Sequence, residues 1–490
     1  MTSPAVELTT PIQLPGTSVR AKARWMARAG IVGLAVATVL ALRVSAVLDD
    51  VPNRHALTDD ASRTARSDAA GALVRGDVLE LAGLLFGSER GFLLPAISAP
   101  AIALAGSAYP LDVEVAISLV FTALLFVVLG LATRCVGRSA GEALIVLAIA
   151  TPILMGNRDL FGQAVSGTLD MPSAVFTLAA AAAWLASRHS RTYRPWALVF
   201  FGNALFHVRF EDGLMLGLAV LLVEAGQAGW ARPPRAVVSA LFRGVRNPVG
   251  VALLAGGLTV LLGGWWVVSS GGVGLTVFGR ELGLRDFRGP VAVGVAVLFV
   301  FVEYSFWRER VWLSAEIPRR ARFLWNWLLT PMIAWILVPF TGRLQALGLT
   351  VAFDADRSLL SLPRAVWEGW MPSDAHWIVV ALLCGSILAA FRSATTRLVL
   401  LSLGALVLFE IAFLTLFHQG DLQPRLIVPL APLVALGAAA WVPAVPRTPR
   451  VVIGAGAAAV LLWTVLPLWR SPELVATLSR GFQSTANGPP

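Results

Sequence analysis

Long runs of apolar residues alternate with short polar segments along almost the whole chain. A helix of roughly 17 to 25 apolar residues is long enough to cross the hydrocarbon core of a bilayer. Runs of that length lie at 31–48, 113–133, 249–269, 290–307, 323–340, 398–417, 426–443 and 451–468. Shorter or interrupted runs lie at 141–155, 173–187, 376–391 and on both sides of a polar insertion within 196–224. The pattern predicts an all-α polytopic membrane protein with about thirteen transmembrane helices.

The apolar segment 91–108 decides the topology, because it is interrupted by Pro95 and Pro100. Short cytoplasmic loops collect Lys and Arg, so loop charge can show whether the segment spans. If it does not span, one side carries 22 Lys and Arg against four acids, and the other carries 16 Arg against 22 acids. A spanning segment would instead move Arg188 and Arg243 to the outer side. We therefore predict a re-entrant or interfacial segment and a cytoplasmic N-terminus.

This topology predicts a single transmembrane domain, 31–468, between a cytoplasmic tail, 1–30, and an outer tail, 469–490. The outer side carries a juxtamembrane first loop, 49–112, and a later long loop, 341–375. The basic residues before the first apolar run could open a signal peptide. No small-residue cleavage site follows that run, which favours an uncleaved membrane helix. A functional site is expected to open on the outer side.

Composition and charge narrow the class of protein. Hydrophobic residues make up 57% of the chain and charged residues 14%, which is too apolar for a soluble enzyme. The formal net charge of +10 would suit nucleic acid, but the basic residues are scattered singly, so no nucleic-acid partner is expected. Of 39 Lys and Arg residues only Lys22 is lysine, which is typical of a GC-rich bacterial genome. For a multi-pass helical protein the expected location is then the bacterial inner (cytoplasmic) membrane. Cys135 and Cys384 are interpreted as small apolar residues.

Two acidic pairs stand out in the first outer loop. Asp49-Asp50 directly follows the first apolar run, and Asp59-Asp60 comes later in the loop. A carboxylate close to low-dielectric lipid becomes more basic, which suits a general base. Some of these acids are equally explained as solvated surface, and the pairs could also hold a divalent cation.

The second outer loop carries Arg158 and then Asp170 at the start of the following apolar run. Asp170 fits a functional acid, and it fits an N-cap of the next helix equally well.

The polar insertion Phe206–Gly213 contains His207, Arg209, Glu211 and Asp212. Ionisable residues at membrane depth are costly, so such a concentration indicates a functional site. The alternative is a tight turn between two short helices in which Arg209 pairs with Glu211 or Asp212.

Another polar segment ends at Arg425, directly before the run 426–443, and contains His418. Guanidinium presents a rigid fork of donors that matches phosphate oxygens, although snorkelling alone would also place an arginine there. The chain has no Walker A pattern, no zinc-spaced His/Cys cluster and no dinucleotide-binding turn. ATP-driven transport and redox chemistry are therefore not expected, and chemistry on the outer side would need a lipid-linked donor.

Together these features resemble the GT-C superfamily of polyprenyl-phosphate-sugar-dependent glycosyltransferases. That superfamily includes bacterial aminoarabinose transferases, protein O-mannosyltransferases and actinobacterial arabinofuranosyltransferases. The segment 206–213 resembles the family's Arg-Pro-Glu-Gly turn, with Phe210 in place of the proline and Asp212 additional. The other motifs similar to family patterns are Asp59-Asp60-Ala61 with Ala65-Arg66 and Arg75-Gly76, Thr151-Pro152 with Arg158 and Asp170-Met171-Pro172, and Pro424-Arg425.

The resemblance implies inverting transfer of a hexosyl or pentosyl group from a polyprenyl phosphate to a hydroxyl of a glycan, lipid or protein acceptor. Asp59 or Asp60, with Asp50 in the alternative pair, would take the proton of the hydroxyl, and Asp170 would position the acceptor or share that role. The residues assigned to the lipid phosphate or the substrate are Arg158, Arg209, Glu211, His418 and Arg425. No cofactor and no obligatory metal are implied, although a divalent ion is left open.

Two other functions remain open on the sequence alone. A polysaccharide polymerase or ligase that uses a lipid-linked oligosaccharide would share most of these features. In a transporter or flippase, Arg209, Glu211 and Asp212 would line the substrate path. Many transporters carry paired interrupted helices in two related halves, whereas this chain shows one polar-interrupted hairpin and no repeat of it.

Overall fold

A computed structural model of the chain provides the structure. The residues that it describes are 19–48, 61–87, 92–105, 110–137, 139–157, 160, 170–189, 195–226, 229, 232–270, 273–277, 280–284, 288–338, 373–417 and 428–470.

These residues form helices joined by short connections, with one small β-hairpin. The helices of the first half are α1 Val19–Leu48, α2 Ala61–Arg75, α3 Val78–Gly87, α4 Leu93–Leu104, α5 Pro110–Val136, α6 Ala140–Met155, α7 Asp170–His189, α8 Trp196–Val208 and α9 Phe210–Gly226. Those of the second half are α10 Arg232–Val245, α11 Pro248–Ser269, α12 Arg288–Arg308, α13 Arg310–Glu316, α14 Arg319–Leu324, α15 Thr330–Ile336, α16 Ser373–Arg392, α17 Ala394–Phe417, α18 Ala431–Ala438 and α19 Arg447–Arg470. A π-helical turn, Trp325–Leu329, joins α14 to α15, and a 3-10 turn, Val442–Ala444, precedes α19.

The helical membrane character predicted from the apolar runs is confirmed. Where the structure describes it, each predicted run coincides with a helix or with a helix interrupted by a tighter or wider turn. Within the described residues, four helical stretches are long and apolar enough to cross a membrane by length and composition: Val115–Val136, Pro248–Val267, Ala375–Arg392 and Arg447–Pro467. The other apolar helical stretches, such as Ala27–Leu42 and Ala140–Met155, have 10–17 residues, so the count of thirteen crossings stays a prediction.

The hairpin is an addition to the predicted all-helical pattern. Strands β1 Val273–Val277 and β2 Arg280–Leu284 pair antiparallel between α11 and α12, with Val273 opposite Leu284. It lies within the polar loop that the hydropathy pattern left between these two helices.

Part of the predicted first outer loop folds into helices α2, α3 and α4. Gly76 joins α2 to α3 with φ of 69°, a left-handed conformation that glycine adopts without steric cost. The exposed Arg75 side chain donates a hydrogen bond to Glu80 at 2.6 Å, which raises the pKa of the guanidinium. Helix α4 has twelve residues and is therefore about 18 Å long, less than a bilayer core requires.

Contacts between helix ends bring the connecting segments together in two groups, one at each end of the bundle. At one end, here called the Asp212 end, Ser173 at the start of α7 contacts Asp212. At the same end, His207 meets the rings of Phe92 and Trp335. These contacts join the first loop, the second loop, the 206–213 turn and the end of α15, all of which the charge pattern places on one side.

Ion pairs mark the opposite end, here called the Glu224 end. The pairs are Arg188–Glu224, Glu142–Arg450 and Arg243–Glu309. The ring of Trp25 on α1 also lies under the guanidinium of Arg134, at 5.6 Å. Each of these contacts connects segments predicted to lie on the basic side, so the two groups of loops do not mix in the described structure.

Candidate functional site

The insertion at 206–213 forms a one-residue break between two helices. Arg209 alone has extended dihedrals, φ −148° and ψ 111°, between the end of α8 and the start of α9. Its N–H donates to Leu205 O at 2.7 Å and its carbonyl accepts from Gly213 N–H at 3.2 Å. The chain therefore leaves one helix and enters the next with backbone hydrogen bonds on both sides of the break.

Gly213 makes this tight connection sterically allowed. A Cβ atom at this position would lie 2.4 Å from Phe206 Cα, so any larger side chain would force the first turn of α9 away from the last turn of α8. Beside this crossing, the rings of Phe206 and Phe210 stack with centroids 5.0 Å apart.

Asp212 is the acid that the turn places inside the protein. Its side chain is 3% exposed, and its Oδ2 accepts a hydrogen bond from the hydroxyl of Ser173 on α7. Arg209 Nε lies 3.5 Å from Asp212 Oδ1, which is an ion pair with a long separation. The carboxylate also lies in the first turn of α9, where the helix dipole favours negative charge. Asp212 therefore holds the start of α7 against the turn.

An aromatic cluster covers the turn, formed by Phe86, Phe92, His207 and Trp335. The His207 ring lies 4.3 Å from that of Phe92 and 4.9 Å from that of Trp335. Phe86 lies 5.6 Å from Phe92 and 5.8 Å from Trp335. These separations are typical of favourable ring contacts. The cluster joins the end of α3, the residue before α4, the end of α8 and α15.

The second-loop candidate Asp170 begins a helix next to this turn. Asp170 is the first residue of α7, three residues before Ser173, so its backbone is within about one helical turn of the Ser173–Asp212 contact. Its side chain is outside the described residues. Asn157, at the end of α6, is buried, and its Oδ1 accepts from Leu160 N–H at 2.9 Å.

Of the other predicted site residues, the structure describes the side chains of Arg209 and Glu211. Arg209 is 10% exposed and paired with Asp212, whereas Glu211 is partly exposed on the first turn of α9. The tight-turn reading of the insertion therefore describes the local geometry, with Asp212 and not Glu211 as the partner. The predicted site residues that lie outside the described part of the chain are Asp50, Asp59, Asp60, Arg158, His418 and Arg425.

Several residues at this end were not singled out from the sequence. Ser173 and Trp335 carry no motif, and Phe92 appeared only as an apolar residue before two prolines. Asp212 was named from the sequence as one of two possible partners of Arg209, and the structure places it on the inward face of α9, in line with the buried Leu216. Arg66 on α2, part of the first-loop motif, is 2% exposed and therefore faces the protein interior.

An apolar groove of about 530 Å³ lies between α4 and α5, near the same end of the bundle. Ile97 and Ala101 form one wall, and Val113, Val120 and Leu124 contribute to the other. Ile97 follows Phe92 by five residues, so the groove begins about 8 Å along α4 from the aromatic cluster. It can hold a hydrocarbon chain beside the polar turn.

Metal-binding groups were sought in the same part of the structure. Among the described residues, no three His, Cys, Asp or Glu side chains are close enough together to bind a metal ion. The acidic pairs of the first loop that could bind one lie outside those residues.

No protein-family model, curated protein or solved structure matches this chain.

Polar and aromatic side chains from several segments meet at the Asp212 end. It combines a buried acid–arginine pair, a histidine held among aromatic rings and an adjacent apolar groove. Such a site can bring a polar acceptor and an amphiphilic donor together at the membrane surface.

Proposed function

We propose that the protein is a membrane glycosyltransferase of the GT-C type. It moves a sugar from a polyprenyl phosphate to an acceptor hydroxyl on the outer face of the bacterial inner membrane. The observation that carries the proposal is that separate polar segments meet at one end of the bundle beside an apolar groove. A lipid-linked donor requires both parts, because its sugar and phosphate are polar and its tail is not.

The donor tail lies in the α4–α5 groove in this proposal. Its walls are almost entirely apolar, and they belong to a short helix and a long membrane helix. Apolar burial stabilises the tail by about 0.8 kcal/mol per CH₂ group. The headgroup then reaches the region of Phe92 and His207.

The acid pairs of the first loop supply the general base. Asp59 or Asp60 accepts the proton of the acceptor hydroxyl as its oxygen bonds to the anomeric carbon, and the bond from that carbon to the phosphate oxygen breaks. The bonding electrons leave with the polyprenyl phosphate, so the configuration at carbon inverts. Asp170, the first residue of α7, orients the acceptor in this proposal.

Arginine and histidine side chains stabilise the departing phosphate, which is commonly the largest contribution to such a reaction. Arg425, His418 and Arg158 take this role. Arg209 is already paired with the buried Asp212, so we assign it to positioning the turn and the start of α7. A single phosphate can be neutralised by guanidinium groups, so the proposal requires no metal.

The test is transfer of a radiolabelled sugar from polyprenyl-phosphate donors to acceptor membranes by the purified protein. The variants are Asp59→Asn, Asp60→Asn, Asp49→Asn and Asp50→Asn, with Asp68→Asn as the control because Asp68 is an exposed acid on α2. Loss of the base lowers transfer by about 10² to 10⁴-fold in one of the four, and the control keeps the wild-type rate. Unchanged transfer in all four variants would refute the base assignment.

The same assay separates the alternatives. A polymerase or ligase would transfer only from lipid-linked oligosaccharides and would ignore single-sugar donors. A flippase would move the lipid between leaflets of a vesicle without forming any glycosidic bond.

A further inference from the structure

A second cavity, of about 760 Å³, lies toward the Glu224 end of the bundle. Its walls come from the last turns of α9, from α10, from the second half of α12, and from the segment between α13 and the start of α15. None of the residues assigned to sugar transfer contributes to it. The cavity is therefore separate from the residues assigned to sugar transfer.

The cavity combines apolar walls with three charged side chains. Leu221, Val237 and Phe306 are among its apolar residues. The charged residues in its lining are Glu303, Arg310 and Arg322. A volume of this size is typical of sites that bind organic ligands.

The carboxylate of Glu303 already accepts hydrogen bonds from side chains of the cavity wall. Its Oε1 accepts from Trp325 Nε1 at 2.9 Å and from Thr330 Oγ1 at 3.0 Å. Both donors flank the π-helical turn, in which Thr330 N–H bonds Trp325 O. Because this bond spans five residues, it brings the two side chains to the same side of the helix. Such π-helical turns are frequent at functional sites.

The two arginines leave an excess of positive charge in the cavity. Arg322 Nε is buried and makes no hydrogen bond in the described structure. The guanidinium of Arg310 lies 5.7 Å above the ring of Trp307. Guanidinium groups bind phosphate oxygens through a rigid fork of donors, so the charge suits an anionic phosphate group.

Helix α10 indicates that the ligand comes from the membrane surface. It is strongly amphipathic: Ala236 and Ala240 are buried, whereas Arg232 and Arg235 are exposed. Phe242 is 69% exposed on the same helix. A basic amphipathic helix with exposed apolar residues is typical of a segment lying in the membrane interface, and basic pockets between membrane helices bind anionic headgroups.

We propose that this cavity binds one anionic glycerophospholipid from the leaflet at the Glu224 end. Its phosphate lies between Arg310 and Arg322, and the upper part of an acyl chain lies against Leu221, Val237 and Phe306. The lipid stabilises the packing of α10 against α12.

Native mass spectrometry of the purified protein from nanodiscs that contain phosphatidylglycerol, phosphatidylcholine and a polyprenyl phosphate tests the proposal. The wild type retains one phosphatidylglycerol, and the Arg310→Gln/Arg322→Gln double variant loses it by at least about tenfold, one factor of ten being 1.4 kcal/mol. The matched control, Arg232→Gln/Arg235→Gln, removes the same charge from the exposed face of α10 and keeps the lipid. Equal retention by the double variant, or retention of phosphatidylcholine or a polyprenyl phosphate instead, would overturn the proposal.

A cavity-filling variant tests the proposal even if the double variant misfolds. Val237→Trp leaves both arginines in place and occupies the space of the acyl chain, so it also loses the lipid. On the wild type alone, added short-chain phosphatidylglycerol raises the thermal unfolding midpoint and phosphatidylcholine does not. An unchanged midpoint with both lipids contradicts the proposal whatever the variants do.

Discussion

Helix α9 carries a buried acid near each end, and the two acids have different surroundings. Asp212, Leu216, Val220 and Glu224 follow one another at four-residue spacing and are all buried, so both carboxylates lie on one face of the helix. Both also contact α7, Asp212 through Ser173 and Glu224 through Trp184 and Arg188.

At Glu224 the acid holds two helices together. Its Oε1 accepts hydrogen bonds from Trp184 Nε1 and Arg188 Nε, each at 2.8 Å, and the Arg188 guanidinium lies 5.2 Å above the Trp184 ring. The residue is fully buried. Because its carboxylate is fully buried and already paired, we assign Glu224 to stabilising the fold.

At Asp212 the same residue types are arranged more openly. The arginine lies 3.5 Å away and belongs to the break between α8 and α9, where Ser173 contacts Asp212 and Phe92 contacts His207. A buried acid–arginine pair is therefore by itself no indication of function. The convergence of loops around one pair distinguishes the two ends.

Glu224→Ala is expected to have the largest effect on stability. It leaves Arg188 and the Trp184 indole buried without their acceptor, and breaking a buried pair in this way costs about 3–5 kcal/mol. Chemical denaturation in detergent measures this loss. A variant with wild-type unfolding would show that the Glu224 end is not held by this pair.

Ser173→Ala removes the hydroxyl that donates to Asp212. Hydrogen bonds to charged groups contribute about 1.5–3 kcal/mol, so the unfolding free energy falls by less than in Glu224→Ala. Ser187→Ala is the matched control on the same helix, because its hydroxyl donates to Trp184 O within α7. A larger loss for the control would reverse the ranking of the two contacts.

Gly213→Ala tests the close backbone approach at the Asp212 end. The new Cβ would meet Phe206 at 2.4 Å, and such overpacking costs about 1–3 kcal/mol. Gly256→Ala, where the added Cβ has open space, is the control and keeps or slightly raises stability. Equal denaturation of both variants would mean that the α8–α9 crossing tolerates a wider turn.

Arg75→Ala is expected to have the smallest effect, because the Arg75–Glu80 pair is exposed and screened by solvent. The unfolding midpoint in detergent stays at the wild-type value, at low and at high salt. A measurable shift would show that the first-loop helices contribute more to stability than their exposure indicates.

Much of the fold could be predicted from the sequence, because apolar runs such as 113–133 and 451–468 are local patterns with a single physical explanation. The distribution of charged residues then predicted which loops lie on the same side of the membrane. The contacts of Arg188 and Arg243 agree with that grouping. Helix α10 was missed because its apolar residues alternate with arginines and prolines and produce no long run.

The site was predictable only in part. The 206–213 insertion was recognisable because ionisable residues are costly at membrane depth. Whether Glu211 or Asp212 pairs with Arg209 depended on which face of α9 turns inward. The aromatic cluster could not be read from the chain, because Phe92, His207 and Trp335 are distant in sequence and meet only through packing. The catalytic assignments of Asp59, Asp60 and Arg425 stay predictions.

The most direct test compares sugar transfer by Asp212→Asn and Glu224→Gln, each normalised to the folded fraction. Both variants replace one buried carboxylate with an amide of the same shape. Asp212→Asn is expected to lower transfer about 100-fold through misplacement of the turn and of α7, whereas Glu224→Gln keeps the wild-type rate per folded molecule. Full transfer by Asp212→Asn, or an equal loss in both variants, would show that Asp212 does not position the site.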